Sequence, residues 1–321
     1  SGVYMFEALA NGEVDAAVQT NFYDTPKGVV ILAKCSPSPV YIVTQKSNSK
    51  LQAELDNAMA QLFSFNPRFN ADMYQYHFTN SATQSSGYTQ AEEKYLSSHP
   101  VVNVYYETTW EPFEFSQNGI AAGITPDIIR GIQKDTGITF NFMLTPSTQD
   151  VYNSIDSDKK DTIMAVSYDY SWANKHNLLI TQPYINASVM RVTKSPNVIP
   201  KTVAVVKDGY LQHQIKTVYP ELKEIPFLTF SECMSFLSNG EADCVFLNYY
   251  QAGFYRSSDK YNNFSYQPDS NLTQNISLGI TKDSNSALYG ILSKSLQKIS
   301  SDTVQGILNE NSLMKEPLTL R

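Results

Sequence analysis

The chain has 321 residues, 42% of them hydrophobic and 12% aromatic, which supplies apolar material for two packed domains and excludes a disordered tether. Its net charge of −7, with 24 basic residues scattered rather than clustered, excludes an electrostatic surface for nucleic acid. No apolar run reaches the ~18 residues of a membrane span, and the opening residues carry no signal-peptide pattern, so any anchoring to a membrane is expected through segments outside this sequence.

Residues 1–20 read as a helix, an Asn11-Gly12-Glu13 turn and a buried strand from Val14 to Val18, and Val40 to Thr44 reads as a further strand. From Ser49 to Phe63 the apolar residues Leu51, Leu55, Ala58, Met59 and Leu62 fall at helical spacing, and Pro67 closes that helix. Thr79 to Gly87 is polar and reads as a linker, with a linker region expected over 81–98. A second unit follows. Val101 to Tyr105 reads as a strand; Thr125 with Pro126 reads as the N-cap and first residue of a helix running to Lys134. Ile138 to Phe142 and Thr162 to Val166 read as strands around a helix from Thr148 to Ile155, a βαβαβ order that implies a parallel sheet. Ser188 to Thr193 reads as an extended crossing into a second lobe. That lobe alternates again: strand Thr202–Val206, helix Gly209–Val218, strand Glu224–Phe227, helix Ser231–Leu237, strand Asp243–Leu247. Ile276 to Thr281 reads as the return crossing, and Ala287 to Ile299 and Ser301 to Glu310 as closing helices.

The chain also echoes itself. Phe6 to Ala16, FEALANGEVDA, returns as Cys233 to Cys244, CMSFLSNGEADC, and Ile42 to Leu51 returns as Gly279 to Leu288 in the same order. Repeats of a solenoid recur every ~20–50 residues, so an echo this distant implies a duplicated domain. Only the closing part of the first copy precedes the second, over residues 1–80. Cys35, Cys233 and Cys244 are too few for a disulfide framework and are expected as free thiols.

The loop Glu107-Thr-Thr-Trp110-Glu-Pro112-Phe113-Glu-Phe, the segment from Gly119 to Asp127, Thr181-Gln-Pro183-Tyr184 and the turn Asn239-Gly-Glu-Ala-Asp243 resemble those of bacterial family 3 solute-binding proteins. The resemblance implies an α/β, two-lobe Venus flytrap of the periplasmic binding protein type II over 99–315, preceded by a partial second copy. Lobe 1 is expected at about 99–190 plus 281–315, lobe 2 at about 191–280, and a juxtamembrane tail at 316–321. Tandem flytraps and the run Ser171-Trp172-Ala173-Asn174 resemble sensor proteins more than transporter partners. The implied function is therefore an extracytoplasmic sensor module of a bacterial transmembrane signalling protein with a histidine kinase or cyclic-di-GMP output. The alternative is the binding component of an amino-acid importer, with a dehydratase on the same fold further behind.

A ligand in such a cleft is held by stacking and converging hydrogen bonds. Trp110 stands where relatives place an aromatic over the ligand, against a second reading as core beside Pro112 and Phe113. Glu107, at a strand end, is placed to accept from a ligand amine, against a reading as a solvated acid. Ser167, Tyr168 and Asp169 follow a strand at the carboxyl edge where open α/β sheets bind ligands. Lys207, Gly209 and Tyr210 lie between a strand and a helix, where backbone N–H groups can receive an anion. Asn248 takes the place of the acid that amino-acid-binding relatives offer to a ligand ammonium, and Ala173, Asn174, Lys175 and His176 occupy the stretch that carries their carboxylate-binding arginine. Both halves of the amino-acid clamp are altered, so the expected ligand is a small polar metabolite, amino-acid-like or an organic acid, and free amino acids are disfavoured. His77, His99, His176 and His213 are dispersed, and no metal, cofactor or catalytic group is expected. A homodimer is an open expectation.

Overall fold

The computed structural model describes residues 2–17, isolated positions between 44 and 73, 88–157 and 161–312. The first element, α1 (Gly2–Ala10), is followed by α2 (Gln90–Ser97) and by the first lobe: β1 (Val101–Glu107), β2 (Thr109–Trp110), β3 (Glu114–Gln117), β4 (Ile120–Ala122), α3 (Ile124–Thr136), β5 (Thr139–Thr145), α4 (Thr148–Ser157), β6 (Thr162–Ser167), α5 (Tyr170–Lys175) and β7 (Leu178–Ile180). The second lobe holds β8 (Ser188–Thr193), β9 (Thr202–Val206), α6 (Tyr210–Val218), β10 (Lys223–Phe227), α7 (Phe230–Asn239), β11 (Cys244–Asn248), α8 (Tyr249–Arg256) and β12 (Ser265–Thr273). The chain then returns to the first lobe with β13 (Ile276–Thr281), α9 (Ser286–Lys298) and α10 (Ser301–Ser312).

Each lobe is a five-stranded sheet, ordered β5-β1-β6-β13-β7 in the first and β10-β9-β11-β8-β12 in the second. In both sheets the βαβ strands are parallel: β1 with β5 and β6, and β9 with β10 and β11. One strand in each runs against its neighbours, β13 in the first sheet and β8 in the second. Those two strands correct the expected boundaries. Ser188–Thr193 and Ile276–Thr281 are not the crossings but strands lying wholly within one sheet each. The chain passes between lobes at residues 181–187 and again at Gln274 and Asn275. These two passages pair: Ile185 bridges Ile276, the Gln274 N–H donates to the Ala187 carbonyl at 3.2 Å, and the Ala187 N–H donates to Asn275 Oδ1 at 3.2 Å.

The main core of the first lobe is built where α3, α9 and the sheet meet, with Phe113, Ile124, Ile128, Ile163 and Leu288 fully buried. Sequence reading placed the α3 cap at Thr125. The cap is instead Gly123, and Thr125 lies in the first turn, where its hydroxyl meets the Tyr184 hydroxyl at 2.8 Å and ties α3 to the first crossing. The expected linker also changes. Within 88–98 the chain forms α2, closed by a Thr89–Glu92 capping box and tied to α9 by the Glu92–Lys294 ion pair, so this stretch belongs to the first lobe. The expected strand from Val14 is absent among the described residues 14–17, and Val14 is exposed. Val40–Thr44 (apart from Thr44), the Thr79–Gly87 linker, Cys35 and the tail 316–321 lie outside the described residues. The described residues between 50 and 62 are helical, though Leu51 and Met59 face outward. Upstream residues reach the flytrap: buried Arg68 donates through Nη1 to the Leu296 carbonyl at 3.2 Å, and the Ser301 hydroxyl donates to Asp72 at 2.9 Å.

The two echoing turns have the same geometry. Gly12 and Gly240 both adopt left-handed φ, at 72° and 78°. In the first, N–H groups of Gly12 and Glu13 donate to Leu9 and Ala8 carbonyls; in the second, those of Gly240 and Glu241 donate to Leu237 and Phe236. The Asn11 amide reaches Glu13 as the Asn239 amide reaches Glu241. The reason for the Ala-Asp that follows is visible in the second copy. Asp243 accepts from the Lys201 and Thr202 N–H groups, both at 2.9 Å, which ties the turn to the start of β9 and holds the Asp243 carboxyl below its ordinary range. Cys233 and Cys244 are free and buried, as expected, and burial pushes both thiols up to about 12.

Two glycines on one helix make opposite predictions. Gly123 has φ 115°, and an added methyl would sit 2.5 Å from the Phe113 carbonyl oxygen, whereas Gly131, mid-helix, faces open space. Gly123→Ala should lower the denaturant-unfolding free energy by about 2 kcal/mol or more. Gly131→Ala should raise it by about 0.5–1 kcal/mol.

Candidate functional site

The carboxyl ends of both parallel sheets face one cavity of about 70 Å³ between the lobes. The first lobe supplies Tyr105 and Glu107 from β1, Trp110 and Glu114 from the small β2-β3-β4 sheet, Tyr152 from α4 and Ser167 from the end of β6. The second lobe supplies Val206, Gly209, Tyr210 and Gln212 around the start of α6, with Phe230 at the start of α7 and Gln274 from the return crossing. The lobes touch over this space. The Tyr210 hydroxyl points at Asp169 Oδ2 across 3.5 Å, the Tyr210 ring meets the Trp172 ring edge-on, and the Gln274 amide donates to the Ser167 hydroxyl at 3.3 Å.

Five of the ten residues singled out from sequence line the cavity: Glu107, Trp110, Ser167, Gly209 and Tyr210. Trp110 satisfies both of its readings. One ring face stacks on Phe113 at 5.0 Å, yet the residue still borders the cavity, and its buried Nε1–H has no hydrogen-bond partner. Glu107 is buried rather than solvated and accepts from the Thr109 hydroxyl at 3.3 Å.

The other five stand outside the lining. Asp169 caps α5, accepting from the Trp172 N–H at 2.8 Å, and reaches the site only through Tyr210. Tyr168 turns away: its N–H donates to the Asn275 carbonyl, and its hydroxyl faces Gln182. Asn174 is exposed and accepts from the Lys282 ammonium. Lys207 is exposed, with its N–H committed to the Phe227 carbonyl at 2.8 Å. At the α6 start, the Asp208 N–H is taken by Gln212 Oε1 at 2.7 Å, which removes one of the donors expected for an anion. Asn248 is fully buried and caps α8, accepting from the Tyr250 and Gln251 N–H groups at 3.1 and 3.0 Å. Its amide donates to Gln274 at 3.0 Å, so it supports a cavity residue without bordering the cavity.

Sequence reading missed Glu114, Tyr152 and Gln274. Glu114 is fully enclosed. Its Oε2 accepts from the Glu107 N–H at 3.0 Å, while Oε1 has no hydrogen-bond partner. Burial pushes its carboxyl up to about 8; the Glu107 N–H and the Thr125 hydroxyl pull the other way, and the neighbouring Glu107 carboxyl adds to the rise. No lysine, arginine or histidine lines the cavity among the described residues. The described residues also contain no cluster of three metal-ligating side chains.

Two mixed α/β lobes, joined by paired crossings and meeting over an aromatic cavity with a few convergent polar groups, define a two-lobed solute-binding protein of the Venus flytrap kind. The family profile for bacterial extracellular solute-binding proteins, family 3, matches residues 102–311, and the chain belongs to that family. Among curated proteins it is similar to the virulence sensor protein BvgS of Bordetella pertussis, 25% identical over 240 residues, and to that of Bordetella bronchiseptica, 23% identical over 240 residues. Each match covers 69% of this chain but 18% of the relative, so the chain spans under a fifth of those proteins. Among solved structures, the periplasmic VFT2 domain of B. pertussis BvgS aligns with a TM-score of 0.62 and 23% identity, over 70% of this chain and 98% of that one. An ancestral arginine-binding protein bound to glutamine aligns with a TM-score of 0.56 and 22% identity, over 65% and 96%. At these identities the structures speak to the fold.

Asn248 and Glu114 give distinct expectations. Asn248→Ala removes a helix cap and leaves the Gln274 and Gln251 carbonyls without a donor, and should cost about 2–4 kcal/mol in denaturant unfolding. Glu114 retains its proton in the folded chain up to about pH 8, whereas the unfolded chain sheds it near its ordinary value of 4.5. Its contribution to stability is therefore present below pH 4.5 and lost as pH rises towards 8. Glu114→Gln should flatten the fall in melting temperature between pH 5 and pH 8 and match or exceed the parent at pH 8.

Proposed function

We propose that this chain is the extracytoplasmic, small-molecule-binding module of a bacterial transmembrane signalling protein. The observation that carries the reading is a cavity lined by both lobes at the carboxyl ends of their sheets, next to the paired crossings about which the lobes can swing. A solute touching both lobes stabilises the closed form by contacts the open form lacks, and that shift in population is the signal. Membership of an extracellular solute-binding family and likeness to sensor proteins favour this reading over an importer's binding component. No helix among the described residues is long and apolar enough to cross a membrane, so anchoring and output are assigned to chain beyond this region. The matching hydrogen bonds of the two Asn-Gly-Glu turns support reading residues 1–80 as the closing part of a preceding flytrap. The contacts of Arg68 and Asp72 with Leu296 and Ser301 would then transmit between the two.

Of the ligand-binding residues, we assign direct contact to Trp110, Glu107, Ser167 and Tyr210, and positioning to Asn248 and Asp169. The reading calls for binding without turnover. In a thermal-shift screen of small polar metabolites, a compound at about 100 times its Kd adds about 2.7 kcal/mol and should raise the melting temperature by about 5 °C or more. Trp110→Ala should abolish the shift, and the compound should be recovered chemically unchanged.

A further inference from the structure

The charge-bearing side chains around the cavity are all acids. Glu107 and Glu114 both border it, and Asp169 stands at its rim against Tyr210. No cationic side chain lines it among the described residues. Two buried atoms at this boundary are without partners, and each states a requirement: Glu114 Oε1, 3% exposed as a residue, accepts a hydrogen bond once the carboxyl is ionised, and Trp110 Nε1–H donates one. The walls between them are aromatic, including Tyr105, Tyr152, Trp172 and Tyr210, whose ring faces attract a positive charge once water is excluded.

Resting on the solute-binding reading above, we infer that the ligand is a small organic cation, an ammonium that also carries an uncharged oxygen acceptor and has no carboxylate. The ammonium belongs against Glu114 Oε1 and Glu107, where its charge compensates the Glu114 carboxyl that burial otherwise keeps from ionising. The oxygen belongs against Trp110 Nε1–H. A carboxylate on the same molecule would enter a space that holds two acids and no balancing cation, and the α6 start offers little in return because Gln212 already occupies the Asp208 N–H.

Ethanolamine, L-serine and glycolate isolate the three cases, since serine is ethanolamine with an added carboxylate and glycolate keeps the hydroxyl and the acid without the amine. Isothermal titration of the whole chain with each, at pH 7.5 and low salt, should show binding of ethanolamine at least tenfold tighter than of serine or glycolate. Ethylamine, without the oxygen, should bind more weakly than ethanolamine. Glu114→Gln should weaken ethanolamine at least tenfold while circular dichroism and melting show a folded protein. Glu107→Gln is the second variant, expected in the same direction. Binding of serine or glycolate in preference to ethanolamine overturns the inference and leaves the solute-binding reading standing. If none of the four binds, the inference falls, and with it the solute-binding reading for molecules of this size. Ethanolamine binding that Glu114→Gln and Glu107→Gln both leave unchanged also overturns the inference.

Discussion

The pairing of the two crossings is the constraint on which the rest of the molecule depends. Residues 181–187 carry the chain out of the first lobe, and Gln274 and Asn275 bring it back; the two runs are hydrogen-bonded to each other through Ala187, Ile185 and Ile276. A single connection would leave the sheets free to rotate about any bond. Two antiparallel connections restrict them to opening and closing about one line, and that restriction keeps both sets of sheet ends aimed at the same cavity. Thr125 holds this line to the first core through Tyr184, a fully buried side chain whose hydroxyl burial drives well above its ordinary range.

Much of this was legible in the sequence, for identifiable reasons. The βαβ alternation of both lobes reads from periodicity, because each strand is a short apolar run and each helix has an apolar stripe. The resemblance to family 3 proteins was visible in four short motifs in a fixed order. Periodicity does not reveal which sheet a buried antiparallel strand joins. Ser188–Thr193 and Ile276–Thr281 are short extended runs with no exposed position, as a crossing or a central strand would be, and only hydrogen-bond registration with β11 and β6 assigns them. The α2 helix was submerged in the expected linker because its partner, Lys294, lies 202 residues away along the chain.

The site was half legible. Trp110, Glu107 and Ser167 were found because position at a strand end or in a motif loop is a local property. Asn248 also sits at a strand end, but an asparagine followed by a helix has a competing local use as a cap, and that use prevails. Glu114 was overlooked although it carries a signal. It stands between Phe113 and Phe115, and an acid inside an aromatic run next to a second acid is one that the fold brings out of water. Its partner N–H, on Glu107, appears only when the small β2-β3-β4 sheet folds back on β1.

Gln274 has a place in this hinge that bears on any switch. One end of its amide accepts from Asn248 in the second lobe and the other donates to Ser167 in the first, so swinging the lobes apart severs this neutral hydrogen bond at the pivot together with the Tyr210 contacts to Asp169 and Trp172. Water replaces such a bond at a net cost of about 0.5–1.5 kcal/mol. A bond that weak holds neither state firmly by itself, so the balance rests on the ring contacts across the cleft and on what occupies it.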